Sequence, residues 1–113
     1  MHNENFGNGH IVISAYKPKP GKDAGLLEVL KTHLPVLRKE NLITERKGIL
    51  MRAKDGTYLE VFEWTSSKAV EQAHSNPAVL EMWKIFDEVC EYAKLSDIDE
   101  AKGLFAGFEP VNI

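Results

Sequence analysis

The run Tyr58–Trp64, Tyr-Leu-Glu-Val-Phe-Glu-Trp, constrains this chain more than any other stretch. Its aromatic, aliphatic and β-branched residues suit a pleated strand. A period of two sets Leu59, Val61 and Glu63 on one face and Tyr58, Glu60, Phe62 and Trp64 on the other. Both faces carry large apolar groups, so both must meet other parts of a structure; a strand with one wet face alternates apolar and polar residues more cleanly. Glu60 stands between aromatics, where a carboxylate needs a partner or a raised pKa. It is a candidate base for a phenol or enol proton. The structural alternative is an ion pair with Arg52 across a hairpin, or with a second chain.

Asn76-Pro77 opens a helix, Asn being a good N-cap and Pro favoured at the first helical position. Val79, Met82, Trp83, Phe86, Val89, Cys90 and Ala93 recur at three- and four-residue spacing, which extends the helix to Ala93. Leu80, Ile85 and Tyr92 lie off that stripe and predict burial on more than one side.

Upstream, His10–Tyr16 reads as a strand with Ile11, Ile13 and Ala15 on one face and His10, Val12, Ser14 and Tyr16 on the other. Pro18, Pro20 and Gly21 end it. Asp23 caps a helix running to about Glu40, with Leu26, Leu27, Leu30, Leu34 and Leu37 as its stripe. Pro35 predicts a kink or break near His33-Leu34. Leu42–Ala53 reads as extended, with Gly48 at a bulge, and Asp55-Gly56 predicts a two-residue hairpin into Tyr58–Trp64. Ser66–Ser75 is a short helix capped by Thr65 or Ser66; Ser96–Ala101 adds a turn, and Leu104–Val111 a last strand. The order β-α-β-β-α-α-β predicts an α+β, ferredoxin-like domain: a four-stranded antiparallel sheet with helices on one face. The other face, carrying Val12, Tyr16, Tyr58, Phe62 and Trp64, is expected to be covered by a second copy in a homodimer.

A length of 113 residues predicts one domain, residues 10–113, behind a mobile N-terminal segment of residues 1–9. A net charge of −3 without a basic patch argues against a nucleic-acid partner, and Lys17, Lys19 and Lys22 are expected in a solvated loop. No run is long enough to span a membrane and no targeting segment is evident, so no membrane partner is expected. Cys90 is the single cysteine, which fits a reducing, cytoplasmic setting; it is expected as a buried, inert thiol.

Taken together, Lys19-Pro20-Gly21 after the opening strand, Asp55-Gly56-Thr57 leading into Tyr58–Trp64, Ala73-His74, and Asn76-Pro77 before the Trp83 helix resemble the dimeric α/β-barrel superfamily, in its antibiotic-biosynthesis-monooxygenase-like branch. The resemblance covers residues 10 to 111. It implies a dimeric barrel and an activity among cofactor-free oxygenation, quinol oxygenation and haem degradation. Haem-degrading members use an Asn, a Trp and a His; the corresponding positions here, near Val12–Ser14, Ala73 and Trp83, do not match. What remains implied is a small-molecule-binding protein, a cofactor-independent monooxygenase acting on an aromatic or polyketide-like compound. The alternative is a non-catalytic ligand-binding or stress-associated protein.

Glu60 and His74 are the candidate catalytic groups, since both can exchange a proton near neutrality; the alternative for His74 is a helix-end histidine bonding exposed carbonyls. Ser14, Tyr16, Met51, Phe62, Trp64, Trp83 and Phe86 are expected to line a pocket for a small apolar or aromatic ligand, or else simply to pack the core. Glu63 is expected on the helix-facing side, paired with a lysine. His10 shares the inner face, whereas His2 and His33 are expected in solvent. No metal-ligand spacing and no phosphate-binding loop is present, so neither a metal nor a cofactor is expected.

Overall fold

The computed structural model describes residues 7–113; the expectations for residues 1–6, including His2, lie outside the described residues. The order is β1 (His10–Pro18), α1 (Asp23–Lys39), β2 (Ile49–Arg52), β3 (Tyr58–Trp64), α2 (Ser67–Ala73), α3 (Pro77–Val89), β4 (Cys90–Ala93) and β5 (Glu109–Pro110), with two 3₁₀ turns at Leu95–Asp97 and Asp99–Lys102. The described strands form one antiparallel sheet of five, in the order β4-β1-β3-β2-β5. The expected α+β class holds, with five strands in place of four.

The fifth strand comes from the end of the expected second long helix. α3 stops at Val89, and Cys90 turns to extended backbone. The loop after β1 closes the helix end: the Lys19 amide donates to the Val89 carbonyl at 2.9 Å, and Lys19 Nζ to that of Asp87 at 2.7 Å. A cation on the last carbonyls satisfies them and complements the helix dipole. Lys19 is therefore a capping group rather than a solvated lysine. Cys90–Ala93 then pairs with β1, placing Tyr92 opposite Tyr16. Leu80 and Ile85 are exposed, so α3 buries one side only, and Tyr92, now in β4, is exposed too.

α1 runs through Pro35 without the expected break. Pro35 and Lys31, whose carbonyl loses its donor, are both exposed, so water can serve that carbonyl. The helix ends later, where Asn41 adopts a positive φ of 61° and the Leu42 amide bonds the Leu37 carbonyl at 3.0 Å. This is a Schellman closure with Asn in the left-handed position. At the other end Asp23 is the first helical residue rather than the cap; it meets Arg52 and the Tyr58 hydroxyl. Asn76 and Ser66 cap α3 and α2 as expected.

The hairpin is a three-residue loop, Lys54-Asp55-Gly56, closed by Ala53 N–H to Thr57 O at 2.8 Å, with Gly56 at φ +95°. The segment before it does not form one long strand. Ile43 bridges Trp64 and Ile49 faces Val61, so residues 44–48 span only two residues of β3. Gly48 sits in that bulge, where a Cβ would run into the Leu34 side chain. The last strand shrinks to Glu109–Pro110, and Leu104 and Phe105 stand in solvent.

The sheet faces are assigned opposite to expectation. Tyr16, Tyr58, Phe62 and Trp64 pack beneath the helices, with Leu26, Leu30 and Leu37 of α1, Ala69 and Ala73 of α2, and Val79, Met82 and Phe86 of α3. Each large side chain buried there contributes about 1.5–3 kcal/mol relative to exposure. On the other face Ala15, Ala53, Leu59 and Ile98 form a small cluster under the 3₁₀ turns. Beyond that cover Ile11, Ile13 and Ile49 remain 55, 47 and 57 % exposed. Aromatic groups need the depth that helices provide, whereas the aliphatic face is shallow, and strand period alone does not say which is which.

Candidate functional site

A cavity of about 270 Å³ lies between the helices and the sheet. Its wall is built from Ser14 and Tyr16 of β1, His33 of α1, Phe62 and Trp64 of β3, His74 at the end of α2, Trp83 and Phe86 of α3, and Tyr92 of β4. The register explains the sheet side. Val12 pairs with Phe62, Ser14 with Glu60 and Tyr16 with Tyr58, so alternate residues of two neighbouring strands point at the helices. Ser14, Tyr16, Phe62, Trp64, His74, Trp83 and Phe86 thus meet around one space. Met51 does not; it pairs with Leu59 on the opposite face and packs against the small cluster there.

Behind the cavity wall a hydrogen-bonded trio joins α1 to the sheet: Tyr16 and His33 line the cavity, and Glu60 holds both. Glu60 is 2 % exposed and His33 4 %. Glu60 Oε1 accepts from the Tyr16 hydroxyl at 2.9 Å and lies 2.7 Å from His33 Nδ1. As a carboxylate Glu60 accepts from both, which puts the neutral imidazole's lone pair on Nε2. Burial, and then the charge of Glu60, hold the Tyr16 phenol well above its ordinary value of 10.0. Tyr16 therefore stays protonated and serves as a donor. The His33 ring is wedged edge-on between Phe86, at 4.9 Å between centroids, and Phe62, at 5.5 Å. Such edge-to-face contacts contribute about 0.5–1.5 kcal/mol beyond area burial and fix the ring's orientation.

This arrangement corrects two expectations. His33 is not solvated, and Glu60 does not sit on a face left bare by the helices or pair with Arg52. Arg52 instead meets Asp23 at 3.3 Å. Glu63 lies on the open face, where Arg46 and Thr44 bond its carboxylate and hold its pKa below the ordinary value. Its partner is an arginine rather than a lysine.

His74 stands at the exposed side of the cavity with its ring 5.0 Å from that of Trp83. Its Nδ1 is 2.8 Å from the Val70 carbonyl. A carbonyl only accepts, so Nδ1 carries the proton and Nε2 of the neutral ring keeps a lone pair. The helix-end role and the cavity-lining role coincide in this residue. Cys90 is buried, and burial pushes its thiol up to about 11, which makes it a poor nucleophile. No group of three or more His, Cys, Asp or Glu side chains among the described residues is arranged to hold a metal ion. No described helix is long and apolar enough to cross a membrane.

No family model matches the chain, and no curated protein matches it in sequence. Solved structures share its fold. The crystal structure of SnoaB, a cofactor-independent oxygenase from Streptomyces nogalater, aligns with a TM-score of 0.65 at 15% identity, covering 76% of this chain and 87% of that one. A single-substitution variant of the same oxygenase aligns at 0.64 and 16% identity over the same shares. At this low identity the likeness is one of fold: the chain shares its fold with a cofactor-independent oxygenase.

Proposed function

We propose that this chain binds a flat, electron-rich aromatic or polyketide-like compound in the aromatic cavity and oxygenates it without a cofactor. The observation that carries the proposal is the His33–Glu60–Tyr16 trio at the wall of an aromatic-lined space. An apolar wall with a few convergent polar groups is the usual form of a small-molecule site. His33 Nε2 takes a proton from the ligand, Glu60 orients and stabilises the resulting imidazolium, and Tyr16 orients Glu60. His74 Nε2 is a second acceptor at the exposed side. The ligand anion then passes one electron to dioxygen, and the radical pair joins at carbon to give a peroxide that recovers the proton. Loss of the second hydrogen from that carbon, with O–O cleavage, leaves a carbonyl and one water, so a CH₂ group and O₂ become C=O and H₂O.

A second reading is binding without turnover, for which the aromatic wall alone suffices. One experiment separates the two. Quinols, anthrones and flavonoid-like compounds are screened by thermal shift, and oxygen uptake is then followed with each binder. Oxygenation predicts uptake by wild type and a loss of about 10²–10⁴-fold in kcat in His33→Ala. Glu60→Gln, which acts through His33, is expected to shift the pH profile as well as lower kcat. His74→Ala is expected to have the smaller effect. Binding with no oxygen uptake leaves the second reading, and equal uptake in all three variants removes the trio from the chemistry.

We further propose a homodimer formed through the open sheet face. Ile11, Ile13 and Ile49 are exposed there, and Ile13, Val61 and Ile49 form one cross-strand row. A contiguous apolar row on a sheet is a surface that water disfavours and a second copy can cover.

A further inference from the structure

Two cavities lie on either side of the His33–Glu60 pair: His33 lines the first and Glu60 lines the second. The second cavity, about 660 Å³, lies between α1 and the β2–β5 edge of the sheet. Leu34, Pro35, Leu50 and Val111 form its sides, the exposed Lys31 and Lys47 stand on it, and Glu60 lines it. Glu60 is nearly inaccessible; it lines the second space and reaches the first only through its partners. Its Oε1 holds Tyr16 and His33, which line the first cavity. Its Oε2 has no hydrogen-bond partner among the described residues. No fully enclosed polar side-chain atom among them lacks one, so Oε2 meets open space, and the second cavity is the space Glu60 lines. By the same reasoning His33 Nε2 meets the first.

We infer that Glu60 is a proton outlet, carrying a proton taken at His33 in the first cavity out into the second. The inference rests on the proposed reading of the first cavity as the place where an acidic ligand gives up a proton. A ligand seated there blocks the direct path from His33 to water, whereas the second cavity stays open beside α1. The steps balance. The ligand's bond to hydrogen breaks, its electron pair stays on the ligand, and an Nε2–H bond forms on His33. The Nδ1 proton crosses the 2.7 Å bond to Glu60 Oε1. The carboxyl group turns about χ3, a broad two-fold torsion, and releases its proton to water in the second cavity. One proton enters and one leaves. His33 then carries its proton on Nε2 and returns to the starting tautomer when it hands that proton to the peroxide and recovers one through Glu60. Tyr16 keeps its own proton throughout and positions the carboxylate.

The test needs no ligand, so its outcome is independent of whether the first cavity binds or oxygenates anything. The exchange of the His33 Nδ1 proton with water is measured by NMR on the ¹⁵N-labelled chain. Leu34→Trp on α1 and Val111→Trp beside β5 plug the second cavity from two different elements, and Ser14→Leu narrows the first. The outlet predicts exchange slowed by about tenfold or more in both plugged variants and nearly unchanged in Ser14→Leu. Exchange unaffected by the plugs, or slowed only by Ser14→Leu, overturns it. Should the plugs prevent folding, a high-resolution crystal structure of the wild type decides. A water in the second cavity within about 3.2 Å of Oε2 supports the outlet; a dry cavity or an Oε2 bonded to protein overturns it.

Discussion

Replacing His33 and Glu60 separately and together probes the buried trio through stability alone. His33→Leu leaves the Glu60 carboxylate with one donor, Tyr16; Glu60→Leu leaves two donors, Tyr16 Oη and His33 Nδ1, without their acceptor. Both residues are almost fully buried, so solvent compensates little for the lost contacts at Oε1. Removing one partner of a buried pair costs about 3–5 kcal/mol. We expect about 3 kcal/mol for each single substitution. In the double variant the imidazole and the carboxylate are both gone, and leucines fill similar volumes. What remains is the unpaired Tyr16 hydroxyl, at about 1–3 kcal/mol, plus imperfect packing. The double variant should therefore lose about 3–4 kcal/mol rather than the sum of about 6, a coupling of about 2–3 kcal/mol. Adding Tyr16→Phe removes the last unpaired group and should recover about 1 kcal/mol. Urea unfolding reads these values directly, because a loss of about 3 kcal/mol at a slope near 1.5 kcal/mol/M moves the midpoint by about 2 M. Single effects that add to within about 0.5 kcal/mol, or a His33→Leu cost under about 1 kcal/mol, would refute the trio as a mutually dependent unit.

Two further outcomes follow from other parts of the molecule. The Tyr16 phenol is held above its ordinary value of 10.0, so just above pH 10 the native state binds more protons than the unfolded chain and stability falls as pH rises. Its contribution is complete below the ordinary value and lost through the raised one; Tyr16→Phe should flatten the alkaline limb of a stability profile without abolishing it, because Cys90, pushed to about 11, and Tyr58 shift in the same direction. An unchanged alkaline limb in the variant would contradict this assignment. On the open face, wild type should sediment at twice the 12.7 kDa chain mass and Ile13→Asp at the single-chain mass; a wild type that sediments as one chain at micromolar concentration sinks the homodimer.

Most of the fold is legible in the residues because local signals agree. Asn76-Pro77, Ser66 and the strand Tyr58–Trp64 each fall where capping chemistry and β propensity put them. The failures occur where two readings compete for the same residues. Val89, Cys90 and Ala93 fit a helical stripe, but Cys90 and Tyr92 also suit an edge strand beside β1, and the Lys19 cap on the carbonyls of Asp87 and Val89 decides between them. That cap is a contact across 68 residues, invisible to any local window. The inverted sheet faces have a similar origin. Period two sorts Tyr58, Phe62 and Trp64 together without saying which layer covers them; the helices do, because Phe86, Met82 and Leu30 offer matching depth.

The cavity is legible as a set of aromatic residues, and its polar centre only by half. Glu60 draws notice because a carboxylate between aromatics is costly unless paired. His33 escapes because the leucines at 27 and 34 pull the apparent stripe of α1 off by one position, and Pro35 suggests that the helix has ended. Both leucines are only half-buried; the sheet-facing line is Leu26, Leu30, His33, Leu37, at spacings of four, three and four. A helix that continues through Pro35 must turn His33 inward, and a histidine in a leucine row carries the same demand for a partner as Glu60 does. Each residue alone is an expensive exception to burial. Together, at 2.7 Å, each supplies what the other lacks. Two unexplained buried polar residues on elements that pack together are therefore better evidence for a site than either one, and here the histidine lines one cavity while the carboxylate lines another.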